Sequence, residues 1–193
     1  MRSELEIKAL HTAASFHEGQ KRKGEDVPYI VHPVEVALIL QQEEMEEEII
    51  AAGFLHDILE DTAMKKNELG NIFNERILRL VVGASERLKD REKREWKERK
   101  LHTVKELKSQ PREIKYIVCA DKLSNARSML RNFYRIGNEL WARFNAGRQQ
   151  QQWYYNGLSD SLKELEGRAM YEEFKEVVEE LFSASDQLKL KFK

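Results

Sequence analysis

A chain of 193 residues is long enough for one compact domain with a real core and too short for a second large one. Its 35 % of charged residues suits a helical protein with charged outer faces, and a net charge of -1 argues against a general affinity for DNA or RNA. No apolar run is long enough to span a bilayer, the acidic first residues lack a secretory pattern, and the lone Cys119 can form no internal disulfide. No membrane association and a cytoplasmic location are therefore expected.

Strand-like alternation is absent, so an all-α fold is expected. Ser3 with Glu6 reads as a capping box, Leu10, Ala13, Ala14 and His17 share a face, and Gly19 ends that helix. A polar loop from Gln20 to Glu25 leads to a short extended piece, Val27 to Val31. His32 follows it and precedes Pro33, which is expected to pin His32 extended and to open the next helix. The acidic run Glu43 to Glu48 reads as loop and first helical turn, where carboxylates favour the helix dipole. That helix carries Ile49, Ala52, Gly53 and His56 on one stripe and is expected to close near Asp61 and Thr62.

One helix is then expected through Ile72, Ile77, Leu80 and Val81. Residues 86–100 are nearly all charged and read as a solvated helix or loop anchored by Trp96, with a lid as the lesser alternative. Pro111 starts a helix whose Ile114, Ile117, Val118 and Asp121 fall on one face. From Trp141 and Phe144 through Leu158 to Leu181, the pattern predicts two or three closing helices. Cys119 reads as a buried, inert thiol. His11, His17 and His102 read as surface or packing histidines, and Trp153 and Tyr154 as core or pocket wall.

Chemistry concentrates at His56-Asp57, followed at once by Glu60 and Asp61. Adjacent helical residues point about 100° apart, so such a pair needs help from elsewhere to hold an ion. Asp121 is one candidate, because a carboxylate on an apolar face needs a cation or strong donors. His32 is the other. Two imidazoles and two carboxylates suit a six-coordinate divalent ion such as manganese, iron or magnesium better than a closed structural zinc site. Such an ion acidifies a water, and Glu60 and Asp61 are placed to orient or deprotonate it.

Three stretches carry a family resemblance: Arg22-Lys23-Gly24 with Pro28-Tyr29-Ile30-Val31-His32-Pro33, then His56-Asp57-Ile58-Leu59-Glu60-Asp61-Thr62, then Ala120-Asp121-Lys122-Leu123-Ser124-Asn125-Ala126-Arg127. In that order and spacing they resemble the hydrolase domain of the bifunctional alarmone synthetase-hydrolases of the HD superfamily. They are more similar still to its stand-alone small alarmone hydrolases. Trp141 to Asn145 with Trp153-Tyr154-Tyr155 is similar to the tail of bacterial stand-alone HD proteins.

The resemblance implies a single HD domain over 1–193, with its metal-binding core at about 10–130 and closing helices over 131–193. It implies a hydrolase without a synthetase, using manganese to remove the 3′-pyrophosphate of guanosine tetra- or pentaphosphate. It assigns His32, His56, Asp57 and Asp121 as metal ligands, Glu60 and Asp61 as the water-activating pair, and Arg22, Lys23, Asn125 and Ser128 as nucleotide contacts. The Gly24 to Val27 loop is one residue longer than in the bifunctional enzymes, Ser124 stands where they usually have histidine, and residues 86–95 have no clear counterpart. Two alternatives stay open: an HD phosphohydrolase acting on another nucleotide (an adenosine alarmone, a deoxynucleotide or a dinucleotide cofactor), and a non-catalytic nucleotide-binding regulator.

Overall fold

A computed structural model describes residues 3–86 and 94–183. They are helical apart from short connections, as the lack of alternation predicts, and the only strand-like pairing among them is an isolated bridge between Lys21 and Pro28. Among them no helix is long and apolar enough to cross a membrane. The reading of 86–100 as a loop or lid falls partly on 87–93, outside the described residues. The chain divides into two compact units, residues 1–87 with 111–121, and residues 88–110 with 122–193.

The first unit contains α1 (Glu4–Phe16), α2 (Val31–Gln42), α3 (Glu47–Leu55), α4 (Ile58–Asp61), α5 (Lys66–Ile72) and α6 (Glu75–Ala84). It also holds the opening turns of α8 (Arg112–Ile136), the helix after α7 (Trp96–Ser109). As expected, Ser3 Oγ caps α1 by accepting from the Glu6 N–H at 3.2 Å. The turn at Gly19, with φ of 74°, leads the chain away from that helix.

α3 is the centre of this unit. Apolar residues run all round it, so everything from Ile49 to Leu55 is buried, against α1, α2 and α6. Gly53 sets its approach to α2. A Cβ there would lie 2.5 Å from Leu40 Cδ1 and 3.6 Å from the Ala37 Cα. Gly53→Val is therefore expected to overpack this contact and lower stability by about 1–3 kcal/mol. A reduced urea midpoint with unchanged slope is the expected reading; an unchanged midpoint would mean that the two helices do not meet here.

The single helix expected through Ile72 and Val81 is two. α5 stops at Phe73, and Asn74 caps α6 by accepting from the Ile77 N–H at 2.9 Å, a stop-and-restart that hydrophobic spacing alone does not reveal. The acidic run before α3 has a second use besides the helix dipole. Arg76 of α6 pairs with Glu46, with Glu48 and with Glu113 of α8.

In the second unit α7 lies against α9 (Arg148–Ser161), and Ser161 Oγ donates to the Val104 carbonyl at 2.9 Å. Trp96 opens α7 and meets Tyr154 edge-on at 5.9 Å, the anchoring read from its isolation among charges. A 3-10 turn over Gly137–Arg143 follows α8, and α10 (Ala169–Ser183) closes the described chain. Trp141 stacks on Phe182 at 5.6 Å, and Arg127 grips the Glu173 carboxylate with two 2.7 Å bonds. Tyr154 is buried here, while Trp153 is partly exposed.

Candidate metal centre

All four expected ligands lie in the first unit, delivered by three segments. The loop after α1 folds back on itself, with the Tyr29 N–H on the Gln20 carbonyl at 2.9 Å and the Arg22 N–H on the Val27 carbonyl at 2.9 Å. Gly24, with φ of 77°, makes its turn. The chain then coils into α2, which begins at Val31. This corrects the expectation of an extended His32: both His32 and Pro33 lie in the first helical turn. There a missing N–H loses no helix bond, so proline tolerates the third position as well as the first.

The second segment also departs from expectation. Instead of one helix running to Thr62, α3 ends at Leu55, His56 is its cap, and Asp57, at φ -95° and ψ -5°, leads into the short α4. This break cancels the 100° divergence of a continuous helix. His56 Nε2 and Asp57 Oδ2 come within 2.9 Å. The third segment is α8, which presents Asp121 from a face where Ile114, Ile117 and Val118 are buried.

Donor atoms of His32, His56 and Asp57 all lie within 4.8 Å of one another, and Asp121 stands beside the two imidazoles. His32 Nε2 lies 3.2 Å from Asp121 Oδ1 and 3.5 Å from Asp57 Oδ2, and His56 Nε2 lies 3.8 Å from Asp121 Oδ1. Ligands about 2.1 Å from one ion at right angles would be about 3.0 Å apart, so this spacing suits a small divalent cation. The two imidazoles are 2 % and 3 % exposed, which leaves little water to compensate their charge partners.

His56 supplies the test of fit. Its Nδ1 donates to the Gly53 carbonyl at 2.9 Å, which fixes the proton there and turns the Nε2 lone pair toward the carboxylates. That buried Nε2 has no hydrogen-bond partner. Facing two carboxylates, this nitrogen needs a positive charge beside it; in the ion-free protein a proton supplies that charge near neutral pH, and a divalent cation in its place would do the same, so the donor set fits a cation. Burial pushes His56 toward neutrality, but Asp57 and Asp121 outweigh it and raise the imidazole to about 9. Against its own burial, Asp57 is held well below the usual carboxylate range by the two imidazoles.

Glu60 and Asp61 occupy α4, within a turn of Asp57, and Glu60 accepts the backbone N–H of Glu86. The sequence reading missed two residues beside them. Tyr29 donates its hydroxyl to Asp57 Oδ2 at 2.5 Å, and Gln20 donates to the Asp61 carbonyl at 2.7 Å. Burial and the adjacent Asp57 hold the Tyr29 phenol far above its usual range, so it stays a neutral donor. His17, read as a packing histidine, is buried and bonds Gln20 through Nδ1 at 2.8 Å.

Arg22 is half-buried and Lys23 exposed, both on the loop that precedes His32. Asn125 and Ser128 lie farther along α8, in the second unit, half-buried and buried respectively. Cys119 is fully buried and its thiol is pushed far up by burial, as an inert core thiol should be.

The HD-domain family profile matches residues 9–152, a stretch that contains the whole cluster. The chain belongs to the HD-domain family. Among its relatives, the guanosine-3′,5′-bis(diphosphate) 3′-pyrophosphohydrolase of Borreliella burgdorferi is 42 % identical over 79 residues, 41 % of this chain and 12 % of that protein. The bifunctional (p)ppGpp synthase/hydrolase SpoT of Escherichia coli K12 is 33 % identical over 123 residues, 63 % of this chain and 17 % of that one. This HD-domain chain thus spans less than a fifth of the length of these curated relatives. A crystal structure from Listeria monocytogenes EGD-e superposes with a TM-score of 0.71 at 29 % identity, covering 79 % of this chain and 99 % of that one. A metazoan ortholog of SpoT that hydrolyses ppGpp shares the fold, with a TM-score of 0.73 at 23 % identity and coverage of 92 % and 95 %.

Competition between proton and cation at the HD histidine has a measurable consequence. With His56 raised from 6.5 to about 9 in the ion-free protein, a cation must displace its proton below that pH. Divalent-ion affinity is expected to rise about tenfold per pH unit from 7 toward 9 and then level, read by titration calorimetry. Because the folded value is the raised one, this histidine's contribution to ion-free stability is full below 6.5 and is lost as pH passes through about 9. A pH-independent affinity would place the proton elsewhere.

Proposed function

We propose that the chain is a manganese-dependent hydrolase that removes the 3′-pyrophosphate of guanosine 3′,5′-bis(diphosphate), leaving GDP, or of the pentaphosphate, leaving GTP. The observation that carries this reading is the clustering of the buried His32 and His56 with Asp57, beside Asp121 and with Glu60 and Asp61 within a turn of Asp57. The similarity to guanosine-3′,5′-bis(diphosphate) 3′-pyrophosphohydrolases supports the choice of substrate.

His32, His56, Asp57 and Asp121 would hold the ion, which when bound polarises a phosphoryl oxygen and acidifies a water. The mixed nitrogen and oxygen donors favour manganese over structural zinc. Glu60 and Asp61 orient the attacking water and take its proton as its oxygen bonds to the phosphorus next to the ribose 3′ oxygen. The bond from that phosphorus to the 3′ oxygen breaks, the 3′ oxygen takes up a proton, and pyrophosphate leaves. Arg22 and Lys23, on the loop leading to His32, neutralise phosphate charge.

The test is turnover after stripping and reconstitution with Mn2+, with guanosine tetraphosphate beside a panel of other nucleotides and products separated by anion exchange. GDP and pyrophosphate in equal amounts, lost with chelator, are expected. Cleavage of another nucleotide alone would keep the HD hydrolase and replace its substrate. Tight alarmone binding without consumption would instead make the protein a regulator.

A further inference from the structure

We propose that Tyr29 and Gln20 are positioning residues that hold the water-activating Asp61 in a fixed relation to the metal ligand Asp57, a role that rests on the reading above and deepens it. One hydroxyl serves both acids: Tyr29 Oη donates to Asp57 Oδ2 at 2.5 Å and lies 3.2 Å from Asp61 Oδ2. Asp57 and Asp61 sit at opposite ends of α4, one turn apart, and each side chain by itself has several staggered states open to it. A shared neutral donor restricts both at once and adds no charge to compete with a cation.

The phenol is itself held by its ring. Tyr29 packs at a tilt on His17, centroids 4.9 Å apart, and edge-on against the ligand His32 at 5.9 Å. Its hydroxyl is therefore aimed by the same loop that delivers His32.

The main chain of Asp61 is held separately. Helices leave their last carbonyls without helix partners, and α4 is a single turn, so the Asp61 carbonyl needs an outside donor. Gln20 Nε2 supplies it at 2.7 Å. A carbonyl only accepts, so this end of the amide is the NH2 group and the other is the oxygen. That oxygen, 2.8 Å from His17 Nδ1, accepts from it, so buried His17 carries a proton on Nδ1. The line from His17 through Gln20 to Asp61 ties the end of α1 to the end of α4.

Two variants separate these roles. Tyr29→Phe removes one hydroxyl and keeps the ring packing, and its dissociation constant for Mn2+ in calorimetry is expected to rise about tenfold to a hundredfold. That reading involves no nucleotide, so it holds or fails independently of the substrate assignment. Gln20→Met keeps the length but loses both hydrogen bonds and touches no metal ligand. Its Mn2+ affinity and KM should match the parent while kcat falls about tenfold, for whichever nucleotide the panel identifies. Unaltered Mn2+ affinity in Tyr29→Phe would overturn the link to Asp57. Unaltered kcat in Gln20→Met, or a loss confined to KM, would overturn the link to Asp61. Collapse of the helical signal in either variant would also overturn the proposal, since it would show a role in folding instead.

Discussion

Asp121→Ala is expected to abolish tight divalent-ion binding and to lower turnover by about a thousandfold or more, while the far-UV helical signal stays intact. The size follows from what is lost: several kcal/mol of transition-state charge stabilisation supplied through the ion, at about 1.4 kcal/mol per factor of ten. The fold survives for a separate reason. Asp121 stands on a buried face with Ile114, Ile117 and Val118, where an ionised carboxylate is costly and a methyl group is not. That gain offsets only part of what is lost near neutral pH, where Asp121 is one of the two carboxylates that balance the charged His56, so ion-free Asp121→Ala should melt somewhat below the ion-free parent while staying helical, and the ion-loaded parent should exceed both. Asp121→Asn sharpens the point, since it keeps shape and one acceptor oxygen but loses the charge that faces His32 and His56. Full activity with retained metal in either variant would remove Asp121 from the site.

Much of this centre was legible because unfavourable burial is visible in a sequence. Asp121 on an otherwise apolar helical face had to find a positive partner, and the structure sets it within 4 Å of two imidazoles. The His56-Asp57 pair was equally plain, yet its geometry was not. Helical spacing through Ile49, Ala52 and Gly53 continues smoothly into His56, and nothing like a proline or a glycine marks the break that brings both side chains to one point. The same limit hid the start of α6, where the signal was only Asn74 ahead of Glu75. Tyr29 and Gln20 escaped for another reason. A glutamine in a polar loop and a tyrosine in the short apolar piece after it are ordinary, and their partners lie 41 and 28 residues away along the chain, beyond any local pattern. The pre-proline rule misled at His32 because the helix had already begun.

Glu60→Gln and Asp61→Asn carry the other large effect, about a hundredfold to ten-thousandfold in kcat with Mn2+ affinity preserved. Each substitution keeps the side-chain shape and an acceptor oxygen but cannot take a proton. The two acids differ in setting, and the variants should differ with it. Glu60 accepts the Glu86 backbone N–H, a contact that the glutamine oxygen can retain. Asp61 meets Tyr29 through its carboxylate and Gln20 through its carbonyl, so it is the better-fixed base and its variant should lose more. Single-turnover rates for both variants and the double variant, each with a parallel Mn2+ titration, read this directly. If the acids act as one unit, the double variant will be about as slow as Asp61→Asn alone. If the losses multiply, they act on different protons, Asp61 on the attacking water and Glu60 on the departing 3′ oxygen. A fall in Mn2+ affinity that matches the fall in rate would make the pair ligands of the ion, and the base would then have to come from outside α4.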